Sequence, residues 1–145
     1  MKEEAGAGFA IIEAVRHFLL ALCLLLATAC SGNSPTEPTP VDREVVLAPG
    51  QTAEFDSGLS VRFVSVIGDS RCPIDAVCIT GGDAIVRIHV AAGTGRGDRD
   101  LHTGDMQPVT LDGVEVRLVE LTRYPFSGRE TPQRDYRATL RVIRP

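Results

Sequence analysis

Ala84-Ile-Val-Arg-Ile-His-Val-Ala91 decides the fold. Val86, Ile88 and Val90 fall on one side of an extended chain, and Arg87 and His89 on the other, because successive side chains of a strand point to opposite faces. A helix would scatter the same apolar residues around its circumference. The period of two recurs on both sides of this segment. Leu59, Val61 and Phe63 alternate with Ser60 and Arg62 within residues 59–66. Val114, Val116 and Leu118 alternate with Glu115 and Arg117, and Tyr136, Ala138, Leu140 and Val142 alternate with Arg137, Thr139 and Arg141. Short strands are also expected at Glu44–Leu47 and Thr52–Phe55 around the turn Pro49-Gly50. Weaker ones are expected at Asp100–His102 and at Val109–Leu111, which joins its neighbour through the hairpin dipeptide Asp112-Gly113. About eight short strands with turn residues between them are the pattern of an all-β antiparallel sandwich or small barrel. One face of each strand then builds the core and the other is wet.

Upstream of this domain the sequence carries an address. Phe18–Ala29 is an apolar run of 12 residues. That is short of the ~20 needed to span a bilayer, and it fits the core of an export signal. The run ends Ala27-Thr28-Ala29-Cys30, which resembles the lipobox of bacterial lipoproteins, with Ala27 where Leu is usual. The resemblance implies a diacylglycerol on the Cys30 sulfur and cleavage just before it. Membrane attachment through that lipid and a place in the cell envelope follow. Ser31, rather than Asp, implies the outer membrane in a cell that has one. Residues 1–17 carry Lys2 and Arg16 against Glu3, Glu4 and Glu13, a negative start where export signals are positive. A start at Val15 gives a short basic one instead. The expected organisation is a signal peptide over 1–29, a lipidated cysteine and tether over 30–41, and the β domain over 42–145. Pro35, Pro38 and Pro40 bias the tether toward extended chain.

Removing residues 1–29 leaves 116 residues, enough for one domain. It takes away two of 15 basic and three of 19 acidic residues, leaving 13 Arg, no Lys and 16 acids, a net charge of −3. That balance gives no electrostatic case for nucleic acid. Of the four cysteines, Cys23 leaves with the signal and Cys30 takes lipid. Cys72 and Cys78 remain, in an oxidising compartment, and are expected to pair. The five residues between them are not the two of a thioredoxin-like motif or a zinc knuckle.

These cysteines lie in Gly68-Asp-Ser-Arg-Cys-Pro-Ile-Asp-Ala-Val-Cys-Ile-Thr-Gly-Gly-Asp-Ala84. The segment resembles a motif of small exported bacterial proteins, many of them lipoproteins, of unknown function. Their pattern runs Asp-Ser-Arg-Cys-Pro, then Cys-x-Trp-x-Gly, then a strand. Asp69, Ser70, Arg71, Cys72, Pro73, Cys78 and Gly82 match, and Thr80 stands in the place of Trp. The resemblance extends loosely over 44–145 and brings no activity with it. Physically, Asp69 can bond the backbone of its own turn and Pro73 fixes φ, so the loop reads as a stapled connection. It either plugs one end of the sandwich or presents Arg71 and Asp75 to a partner, with Arg71 free to pair with Asp69 or Asp75. Tyr124-Pro-Phe126 reads as a lid on the core or an aromatic anchor for a partner.

Other arrangements are weaker. His89 and His102, with a nearby aspartate, would form a small metal or acid–base site if their strands pair and bring them together. Arg87, Arg117, Arg137 and Arg141 take the wet side of their strands and would form a basic stripe if adjacent. Gly68-Asp69-Ser70 lacks the α/β context of a serine hydrolase block. Arg96-Gly97-Asp98 lies in a glycine-rich stretch read as a hairpin, and Asp98 with Asp100 makes only half of a calcium loop. The expected function is therefore a non-enzymatic, lipid-anchored binding or envelope-interaction module for an envelope protein or small ligand, without a cofactor. The alternatives are the His89/His102 site and a structural spacer.

Overall fold

A computed structural model of the chain describes residues 39–145; the expected export signal, Cys30 and the first part of the expected tether lie outside the described residues. The domain is an antiparallel β-sandwich. Its strands are β1 (Val41–Leu47), β2 (Thr52–Phe55), β3 (Leu59–Asp69), β4 (Ala84–Ala92), β5 (Gly95–His102), β6 (Val109–Leu111), β7 (Val114–Thr122) and β8 (Arg137–Arg144). They form two four-stranded sheets, ordered β1-β8-β7-β6 and β2-β3-β4-β5. Both sheets stay open, so the sandwich of the two expected architectures is the one adopted. Strand β1 opens at Val41, one residue before the expected domain boundary, and the Thr39 carbonyl accepts from Arg144 Nε and Nη2.

The alternation read from the sequence is the core. Leu59, Val61 and Phe63 of β3, Val86, Ile88 and Val90 of β4, Val114, Val116 and Leu118 of β7, and Leu140 and Val142 of β8 are all buried between the sheets. In two strands the inward phase slips by one residue. Bulges between Phe63 and Ser65 and between Leu118 and Glu120 bring Val66 and Leu121 inward. An extra residue on one strand of a pair turns the following side chains to the other face.

The pairings sort the connections into two poles. Val41 lies beside Arg144, and Glu115 beside Ile143, at one end of the first sheet; Leu47 and Leu121 both lie beside Ala138 at the other. At the pole where the chain enters β1, it turns tightly at 56–58, 93–94 and 112–113. Ser57, Gly58, Gly93, Asp112 and Gly113 all take positive φ there, the left-handed conformation that tight hairpins require. Arg144 Nη2 also donates to the Asp56 carbonyl, joining the two sheets at this pole. The opposite pole carries the long connections, residues 70–83 and 123–136, together with 48–51 and 103–108.

Candidate functional site

The long loops of the distal pole are built around Arg71. Its guanidinium forks onto Asp69, with Nε 2.9 Å from Oδ1 and Nη2 2.7 Å from Oδ2. The Arg71 backbone N–H also donates to Asp69 Oδ1, the turn bond that the Asp-x-Arg order suggested. The remaining donors leave the loop altogether: Nη1 reaches the Leu121 carbonyl at 2.6 Å and Nη2 the Arg123 carbonyl at 2.8 Å. Tyr136 Oη donates to Asp69 Oδ2, and the Tyr124 ring lies over the guanidinium, 4.4 Å from it. Both members of the ion pair are 7% exposed. Burial alone would raise the Asp69 carboxyl, but the hydrogen bonds and charge of Arg71 outweigh it and hold the carboxyl below its ordinary range. Arg123, whose carbonyl Arg71 takes, has φ 71°, a left-handed conformation usually left to glycine, which the Arg71 contact helps to fix.

Of the two readings of the loop, plug or presenter, Arg71 takes the first: its side chain is buried rather than turned outward. Its five donors suit a buried hub that holds carbonyls from another loop, and it joins the two sheets at their distal end. The side chains it was read with stay outside. Asp75 and Tyr124 are exposed, and Phe126 is 37% exposed.

The loop beyond Arg71 is pinned in three ways. Its mouth is closed by Ser70 and Asp83: Ser70 N donates to the Asp83 carbonyl at 2.7 Å, and Asp83 N donates back to Ser70 Oγ. A side chain on Gly82 would strike the Ser70 carbonyl, so only glycine lets these backbones pass. Cys72 and Cys78 are joined in a disulfide. The loop is also tied to its neighbour, with Ile74 N donating to the Pro125 carbonyl and Ser127 N donating to Asp75 Oδ1 at 2.8 Å. That bond from Ser127 lowers the Asp75 carboxyl from its ordinary range. Replacing both cysteines with serine is expected to cost about 2 kcal/mol on the chain-entropy account of a short closed loop. A lower urea midpoint of unfolding, with faster backbone hydrogen exchange over residues 73–80 as well, is the measurement that checks it.

This rigid loop displays apolar side chains. Val77 and Ile79 are fully exposed, and Ile74 is 61% exposed. With Tyr124 and Phe126 they make five of the nine large apolar residues exposed among the described residues, so the exposure is concentrated on two adjoining loops. Beside them, Arg123, Tyr124, Phe126, Arg129, Glu130 and Asp135 line an open cleft of about 320 Å³, with the Arg129 guanidinium over the Phe126 ring at 5.1 Å. Sequence reasoning found the aromatics and Asp75 but missed Ile74, Val77 and Ile79. The available signal was three branched aliphatics in a segment with no strand to bury them.

The other arrangements come apart. Strands β4 and β5 do pair, but the register sets His89 opposite Asp98 and His102 opposite Ile85. The imidazoles thus stand four ladder positions apart, roughly 13 Å at the usual strand rise, and do not share a site. Each has its own carboxylate: His89 Nδ1 lies 2.7 Å from Asp98 and His102 Nδ1 2.6 Å from Asp83. Among the described residues, no group of three or more His, Cys, Asp or Glu side chains is placed to hold a metal. Arg96-Gly97-Asp98 lies inside β5 rather than at a hairpin tip, and Asp100 forks onto Arg87. The basic stripe is divided as well. Arg87 belongs to the other sheet; Arg117 and Arg141, which do lie side by side, pair with Glu115 and Asp42, and Arg137 donates to carbonyls of its own chain.

Asp83 carries a pH prediction. Its Oδ1 accepts from Gly104 N and Thr103 Oγ1 while Oδ2 meets His102, tying the foot of the stapled loop to residues 103–108. The Asp83 bond raises the His102 pKa. The folded state therefore binds the His102 proton more tightly than the unfolded chain does. The resulting stability is full below the unfolded value of about 6.5 and is lost as pH rises through the higher folded value. The pair is partly exposed and its effect is small: a melting temperature up to about 5 °C higher at pH 6 than at pH 8. In His102→Gln this difference is expected to vanish.

The chain matches no family model, no curated protein and no solved structure.

Proposed function

We propose that this protein is a lipid-anchored, extracytoplasmic, non-enzymatic binding module that meets an envelope partner with the pole opposite its tether. The observation that carries the reading is the division of the sandwich. Tight turns surround the point where the tether enters, whereas the long, cross-braced loops with their exposed apolar and aromatic side chains lie at the far end. Binding residues concentrate on loops held by a rigid scaffold, and a tether at one end leaves the other end accessible. The lipid on Cys30 rests on the lipobox-like Ala27-Thr28-Ala29-Cys30.

The test has two arms. Palmitate-analogue labelling in the producing cell is expected to mark the wild-type chain and not Cys30→Ser. A benzophenone amino acid at Tyr124, which keeps an aromatic ring over Arg71, is expected to give protein adducts in the envelope, and the same probe at Thr94 none. Amine-reactive reagents do not serve, because the chain has no Lys after position 2. Label on Cys30→Ser would remove the anchor at Cys30, and equal adducts from both poles would remove the polarity of the reading. A structural spacer predicts no adduct from either.

A further inference from the structure

Resting on the binding-module reading, we propose that the stapled loop is the contact itself: Val77 and Ile79 are a preformed apolar knob that enters a concave apolar groove on a protein partner. Single exposed aliphatics are ordinary on protein surfaces. These two differ in arrangement. They flank Cys78, whose disulfide to Cys72 fixes the backbone between them, and both side chains are wholly in water. Ile74 and the Tyr124 and Phe126 rings continue the patch across the bond from Ile74 N to the Pro125 carbonyl. The whole is on the order of a few hundred Å², the size of the largest patches on soluble monomers, which are often functional. A loop already held in shape loses little conformational freedom on binding, which raises affinity for the same contacts.

The surroundings specify the occupant. Two cations, Arg123 and Arg129, and three carboxylates, Asp75, Glu130 and Asp135, lie on the loops and cleft that carry the patch. An apolar centre with a mixed charged rim, rich in aromatic and Arg side chains, is the composition of a protein–protein contact. A loop that inserts in an anionic bilayer carries an excess of basic residues around its apolar tip, and here the carboxylates outnumber the cations, with Asp75 in the tip itself. A second copy would offer the same protruding tip, convex against convex. A partner with a recessed apolar surface is complementary on both counts.

The experiment uses the full-length, lipidated chain in its own cells, with a photo-activated diazirine amino acid at position 77 or 79. Expected is a discrete adduct with one protein from each position, its modified peptide apolar, and at least tenfold above the same probe at Thr94. With the probe at 77, Ile79→Ser is expected to lower the yield about tenfold, the affinity carried by one buried branched aliphatic. The melting temperature of Ile79→Ser stays that of the parent, because the side chain packs on nothing in the folded domain. Adducts with lipid, adducts of twice the chain's mass, or a yield indifferent to Ile79→Ser overturn the proposal. If 77 and 79 give nothing while Tyr124 does, the knob fails and the binding module stands. If all three are silent, both fail.

Discussion

Arg71→Ala is expected to remove about 3–5 kcal/mol of stability, the cost of leaving a buried charge without its partner. Small domains hold only about 5–15 kcal/mol in all, so this is a large share of the total. The loss has three parts in this structure. Asp69 keeps only Tyr136 Oη as a side-chain donor, the Leu121 and Arg123 carbonyls lose their cation, and the Tyr124 ring loses the group it covers. Arg71→Lys is expected to recover only part, because an ammonium cannot fork onto the carboxylate and reach two carbonyls at once. The sign of the pH dependence identifies the cause. In the parent, Asp69 has a depressed folded pKa, so its contribution is present above the unfolded value of about 3.9 and is lost as pH falls through the folded one. In Arg71→Ala the unpaired carboxyl gains by protonation. The gap between variant and parent therefore narrows toward pH 4. Urea unfolding across pH 4–8 measures it, and a gap independent of pH would show that Arg71 acts by packing alone.

Phe63→Ala is expected to cost about as much, 3–5 kcal/mol, by a different route. Phe63 is the largest of the fully buried side chains. It stands where β3 outruns β2, and its backbone still pairs with Gly50 and Gln51. Its removal opens a cavity at the bulge that the backbone pairing keeps from collapsing. No charge is involved, so this loss is expected to be the same at pH 4 and pH 8. Urea midpoints at the two pH values separate the variants.

The fold was legible because its core strands are regular. The alternation at Leu59–Phe63, Val86–Val90, Val114–Leu118 and Ala138–Val142 marks the inward faces directly, and Asp112-Gly113 marks a hairpin that forms with positive φ at both residues. What escaped has local causes. Gly95–Arg99 lacks β-branched residues and read as a turn; it is half of an edge strand held by the β4 ladder and by the Arg87–Asp100 and His89–Asp98 pairs. The far ends of β3 and β7 were missed because the bulges reverse the phase that alternation relies on. Arg71 was legible as a partner of either Asp69 or Asp75, but its burial depends on Leu121, Arg123 and Tyr124, about fifty residues on. The apolar knob was hidden for a related reason: only the fold shows that Val77 and Ile79 have nothing to pack on.

The proposed function tethers the domain at one pole and binds with the other. Hydrogen–deuterium exchange of the full-length protein in envelope membranes of its own cells, compared with the same protein purified in detergent, decides between the poles. Slower exchange in the envelope confined to residues 70–83 and 123–136 is the predicted result. Slowing at 56–58, 93–94 and 112–113 instead, or identical exchange in both preparations, would contradict it.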